Sequence, residues 1–158
     1  MKKGDYNKNG FTIIEVSLVL AIAGLIFLMV FIALPQLQRS QRDSRRRDDI
    51  ITFLETVKKY QTNNRGALPT NWNTFKTQYL KSFVDPDGSD YILTPAECTT
   101  TGGGSDCTNS PNLDKMDHRL YILTKATCDG AKAVKASNPR SVAVLYRLEG
   151  SGMYCNNT

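Results

Sequence analysis

Little in this chain points to catalysis. It has one histidine, His118, and one tryptophan, Trp72. No Gly-x-Ser-x-Gly, P-loop or dinucleotide fingerprint occurs, so nucleophilic hydrolysis and nucleotide chemistry lack sequence support. His118 has Asp114 and Asp117 near it, but Asp-Lys-Met-Asp-His reads as a polar loop. Trp72 reads as a core anchor. Cysteine is absent before Cys98. The four present, Cys98, Cys107, Cys128 and Cys155, include no C-x-x-C pair, which argues against zinc. Charge is absent from residues 16–34, and no A-x-A pattern follows Leu34. An ordinary secretory signal, cut behind its apolar core, therefore does not fit.

What the chain does have is one long apolar run. Residues 16–34 are apolar but for Ser17 and would measure roughly 28 Å as a helix, close to the hydrocarbon thickness of a bilayer. The run is apolar nearly all round, unlike the single stripe of a soluble helix. One carboxylate, Glu15, stands just inside its N-terminal end. An ionisable group costs up to about 3 kcal/mol at mid-membrane and less near an edge, so Glu15 is a functional candidate. A short basic segment precedes it, with Lys2, Lys3 and Lys8 against Asp5.

The residues Gly10, Phe11, Thr12, Ile13, Ile14, Glu15 and Val16, behind a basic leader and before an apolar span, resemble the type IV pilin signature that type II secretion pseudopilins share. The resemblance covers about the first fifth of the chain. It implies that a prepilin peptidase cuts between Gly10 and Phe11 and methylates the new α-amino group of Phe11. It further implies a homo-oligomeric helical filament, driven by an assembly platform and an ATPase, with Glu15 acting in assembly. The precursor would be a single-pass protein of the cytoplasmic membrane, in contact with lipid, and the filament would be extracellular. In filaments of this family part of the helix loses order. Residues 24–35, from Gly24 to Pro35, are the candidate segment here.

Length and charge allow a membrane span plus one small domain. The formal charge is +5, and loss of three lysines and one aspartate with the leader would leave +3. That mild balance does not indicate a nucleic-acid partner, although one remains possible. A small domain buries a modest core and gains from covalent links. Four cysteines beyond an exported anchor suggest disulfides. They allow three pairings. Closeness in sequence favours Cys98 with Cys107, leaving Cys128 with Cys155, and the loops would contribute roughly 2.5 and 3.5 kcal/mol in the chain-entropy model. The arginines beyond the span (Arg39, Arg42, Arg45, Arg46, Arg47) outnumber the lysines of the leader, which conflicts with a literal positive-inside count. The cysteines and the leader pattern favour export.

Four segments follow: a leader over residues 1–10, a transmembrane or filament-core helix over 11–35, a polar-to-amphipathic extension over 36–64, and a head over 65–158. Residues 38–49 carry no apolar face. Pairs at i,i+4, Arg39 with Asp43, Asp43 with Arg47 and Arg45 with Asp49, would add about 0.2–0.5 kcal/mol each to a solvated helix. The sharper alternative is a charged band that meets a neighbouring subunit or an anionic surface. Ile50, Phe53, Leu54 and Val57 share one face, and Asn-Asn-Arg-Gly at 63–66 stops the helix, which would run from Phe11 for roughly 80 Å if straight. Thr70 is the expected cap of a short helix over 71–80. Asp85-Pro86-Asp87-Gly88 is a turn. Asp85, Asp87 and Asp90 are weak candidates for calcium, against a plain acidic turn. Short strands are expected at 91–93, 121–123, 141–148 and 153–155, with a loop starting at Cys128. The fold class is α+β: a long N-terminal helix packed on a small C-terminal antiparallel sheet. The expected function is a filament subunit without enzymatic activity. The alternatives are a pseudopilin or a monomeric membrane-anchored protein that binds a surface or DNA.

Overall fold

The computed structural model describes residues 10–100, 104–107, 118–150 and 152–158. Asp114, Asp117 and residues 1–9 of the leader lie outside the described residues. The chain forms two compact units, 1–38 and 39–158. Helix α1 (Ile13–Asn63) supplies nearly all described residues of the first and opens the second, and Pro35 lies inside it. It is long and apolar enough to cross a membrane, and none of its most apolar window is buried. The helix ends where Arg65 and Gly66 adopt positive φ (56° and 83°) and the Gly66 amide bonds back to the Gln61 carbonyl at 2.7 Å. Glycine accepts that conformation at little cost.

The second unit is built around Ile50, Phe53, Leu54 and Val57, all buried. The Phe53 ring lies 5.7–6.0 Å from those of Trp72, Phe75 and Phe83. Trp72 and Phe75 come from α2 (Trp72–Tyr79). Its cap is Asn71 rather than Thr70: the Asn71 carbonyl oxygen accepts from the amides of Asn73 and Thr74 at 3.0 Å each. Asparagine's side-chain oxygen meets the first free amides from the residue that directly precedes the helix.

The strands are β1 (Ile92–Glu97), β2 (Arg119–Thr124), β3 (Ala126–Asp129), β4 (Lys132–Lys135), β5 (Val142–Leu148) and β6 (Gly152–Asn157). The main sheet has the order β1-β2-β5-β6. It is mixed, because β1 runs parallel to β2, while β2–β5 and β5–β6 are antiparallel. A parallel pair needs a crossover of a dozen or more residues, and residues 98–118 provide one. Residues 128–135 are not a loop: β3 and β4 form a hairpin of their own. Both faces of the sheet are covered. Along β5, Val142, Val144, Tyr146 and Leu148 join the core that holds Phe53, while Ala143 and Leu145 join a second core with Ala126 and Ala133. Alternation along a strand makes this division.

Disulfides join Cys98 to Cys107 and Cys128 to Cys155. The first lies in the crossover, which is stitched to the hairpin by the Cys107 amide on the Ala133 carbonyl at 3.0 Å. The second links β3 to edge strand β6. All four sulfurs belong to the second core or pack against it.

Candidate functional site

The first candidate site is the start of α1. Its apolar side chains are open to the surroundings, with Phe11 89% and Ile13 90% exposed. Glu15 does not point away from the chain. Its Oε2 accepts from the Thr12 amide at 2.9 Å and from the Thr12 hydroxyl at 2.8 Å. The Glu15 amide in turn donates to Thr12 Oγ1 at 3.3 Å. This is a reciprocal capping box, with Thr12 as N-cap and Glu15 as its third helical residue. It satisfies two donors that the first turn of a helix leaves without partners. The pattern Thr-x-x-Glu is legible in the sequence, and the sequence reading assigned Glu15 no such local partner. Phe11, Glu15, Val16, Val19 and Leu20 line a shallow apolar cavity of 260 Å³. An acid lodged beside such a groove offers one charged contact to an otherwise apolar neighbour. Gly10 is exposed, with open space where a Cβ would stand.

The second candidate lies in the stretch after residue 38, where a solvated helix was expected. Asp43 and Arg46 are instead buried. Arg46 donates from Nε to Asp85 Oδ2 and from Nη2 to Asp85 Oδ1, both at 2.8 Å, and from Nη1 to Glu149 Oε1 at 2.7 Å. Arg42 grips the same Glu149 through Nε at 2.8 Å and Nη2 at 2.6 Å. Asp43 turns to the amides of Glu149 and Gly150, at 2.9 and 2.8 Å, and to Arg46 at 3.2 Å. The expected i,i+4 pairs are replaced by these long-range contacts. Asp49 accepts from the Tyr91 hydroxyl, and the Arg47 guanidinium lies 5.5 Å from the centre of the Tyr154 ring. Buried charges must be paired, and tertiary partners outbid exposed neighbours on the same helix.

The electrostatics follow from the contacts. Burial alone would lower the Arg46 pKa, but hydrogen bonds to Asp85 and Glu149 outweigh it and hold it above its ordinary value. Burial raises the Asp85 carboxyl. Arg46, the Tyr146 hydroxyl and the Asp87 amide reverse that, and the net shift is downward. The Glu149 carboxyl is lowered to about 2, chiefly by its hydrogen bonds with Arg42. Asp49 is raised by burial, against its bond from Tyr91.

The calcium candidates are not brought together as a trio. Asp90 pairs with Lys76 at 3.2 Å. His118 takes its place, with Nδ1 3.5 Å from Asp87 Oδ2 and 3.8 Å from Asp85 Oδ2. Asp85 already accepts four hydrogen bonds, two from Arg46, one from Tyr146 and one from the Asp87 amide. A carboxylate has about four lone-pair sites, so Asp85 would have to release Arg46 to hold a cation.

Residues 5–31 match the family described as the prokaryotic N-terminal methylation motif. No curated protein and no solved structure matches the chain. The match supports a leader of the type IV pilin and pseudopilin kind, ahead of the apolar first part of α1. Leader and helix together support a membrane-anchored precursor of pilin type.

Proposed function

We propose that this chain, with its pilin-type leader, is a prepilin: it is cut between Gly10 and Phe11, methylated on Phe11, and polymerised through α1 into an extracellular pilus or related pseudopilus. The observation that carries the reading is an apolar helix with no burial of its own and a single acid, Glu15, at its start. An apolar surface of this length needs lipid or other copies of itself to cover it. Lipid would cover it before assembly, and neighbouring helices after. Repetition of one heterologous contact that does not close generates a fibre.

Glu15 acts in this reading by exchanging partners. In the uncut chain Thr12 satisfies it. Cleavage creates a positive α-amino group on Phe11, and methylation to a secondary amine keeps the charge. In the fibre the amine of an incoming subunit takes the carboxylate of its neighbour. At about 4 Å and an effective dielectric near 20 that attraction is about 4 kcal/mol. Desolvation of both charges cancels much of it, so the pair sets axial register more than net stability. The peptidase, the assembly platform and its ATPase are the partners this route requires.

The test compares processed membrane protein with sheared surface filaments. Glu15→Ala and Glu15→Gln should leave insertion and Gly10 cleavage largely intact and strongly reduce filament yield. Val16→Ala, a loss of apolar bulk alone, should be much milder. Normal filament yield from Glu15→Ala would remove the assembly role and favour a plain anchor that displays a binding head.

A further inference from the structure

The end of α1 and the loop before β5 enclose an open cleft of 430 Å³. Three cations line it: Lys58, Arg65 and Arg140. No Asp or Glu side chain lines it, and the rest of its wall is amide, hydroxyl and glycine. None of the three cationic groups has an acidic partner among the described residues. Everywhere else around α1 the arginines that reach the second core are matched by acids, as Arg42 and Arg46 are. An unmatched group of three is therefore a feature of this cleft.

The cleft is also held in shape. Gln61 Nε2 donates to the Arg140 carbonyl at 2.8 Å, which ties the loop to the helix. The Arg140 amide donates to Asn138 Oδ1 at 3.0 Å. The Arg140 guanidinium lies on Gly66, where a Cβ would come within 2.6 Å of Nη1. Glycine at positive φ thus makes room for the guanidinium as well as ending the helix. Two of the cations also oppose the negative end of the helix dipole, a role that needs no ligand. That role does not account for Arg140, which comes from a different element.

We infer that this cleft binds a linear phosphodiester polymer through its backbone. Guanidinium groups match phosphate oxygens with paired donors, and lysine adds a point charge. No aromatic ring lines the cleft, so it has nothing on which bases would stack, and the contact reads no sequence. Nucleic acid and polyol-phosphate polymers share this chemistry. The proposal requires only the second unit's own residues and is independent of filament assembly.

The experiment uses the full chain in neutral detergent with a fluorescent single-stranded oligonucleotide, titrated across salt concentrations. Three phosphate contacts give a log–log salt slope of about −2, or about a 20-fold loss of affinity between 50 and 200 mM salt. Lys58→Gln and Arg140→Gln should each reduce the slope by about 0.7. Lys59→Gln removes the same charge from an exposed site outside the cleft and should leave it unchanged. Lys58 has no side-chain partner to lose, so its variant tests the cleft even if Arg140→Gln folds poorly. Competition by poly(glycerol phosphate) would show that any phosphodiester chain fits, and its failure to compete would narrow the ligand to nucleic acid. Absence of strand binding overturns the inference. So does equal weakening by Lys59→Gln and Lys58→Gln, or binding confined to anionic phospholipid vesicles.

Discussion

Arg46 meets Asp85 at two points, Nε to Oδ2 and Nη2 to Oδ1, each at 2.8 Å, with both residues only 1% exposed. The pair joins the first turns of α1 beyond the apolar segment to the turn that precedes β1, 39 residues later in sequence. Glu149, after β5, closes the same arginine from the other side. Three separate parts of the chain thus converge on one guanidinium.

Removal of Arg46 should be costly, because it leaves Asp85 buried and unpaired. Arg46→Met is expected to lower the stability of the second unit by about 3–5 kcal/mol. Adding Asp85→Asn should recover part of the loss, since the stranded charge goes. Urea unfolding of the full chain in neutral detergent, followed by Trp72 fluorescence, measures both. A loss below about 0.5 kcal/mol, the size of an ordinary surface change, would contradict the role given to the pair.

The stripe that holds this pair explains what was legible in the sequence. Ile50, Phe53 and Val57 stand at helical spacing and announce a buried face. Asp43 and Arg46 extend that same spacing backwards, but their charge hides it, because charge ordinarily marks a solvated surface. Their partners Asp85 and Glu149 are distant in sequence, so no local pattern links them. The strands at 92–97, 119–124 and 142–148 are visible as apolar runs. The direction of β1 against β2 is not, since it is set by the crossover rather than by either strand. At the other end of α1, Thr12 and Glu15 spell out a capping box in four residues, and that contact is fully local.

Acid should loosen the second unit in a defined window. The Glu149 carboxyl is held at about 2 in the folded chain against an ordinary value of 4.5. A lowered carboxyl contributes stability that is present above the ordinary value and is lost as pH falls through the folded one. Asp85 is shifted in the same direction and adds to the effect. Asp49 is shifted upward and opposes it. Stability should therefore fall between pH 4.5 and about 2, and Glu149→Gln should flatten that fall while lowering stability at neutral pH. Unfolding free energies across this range check it. A Glu149→Gln chain with an unchanged acid limb would contradict the assignment.

The capping box predicts a local effect from Thr12. Thr12→Val removes the hydroxyl that binds Glu15 and caps its amide, and keeps the backbone contact. Loss of such a cap costs about 1 kcal/mol. The amides of Ile14, Glu15 and Val16 should exchange with solvent about fivefold faster in detergent, by the free-energy change of a lost cap. Cleavage behind Gly10 should be unchanged. Equal exchange in the two proteins would show that the box does not order the first turn.

The central claim is that the chain is cut and polymerised, and the mass of its N-terminal peptide in sheared surface filaments tests it most directly. The account predicts a peptide that begins at Phe11 and carries one added methyl group on its α-amine. Filament or membrane protein that retains Met1 through Gly10 would contradict it.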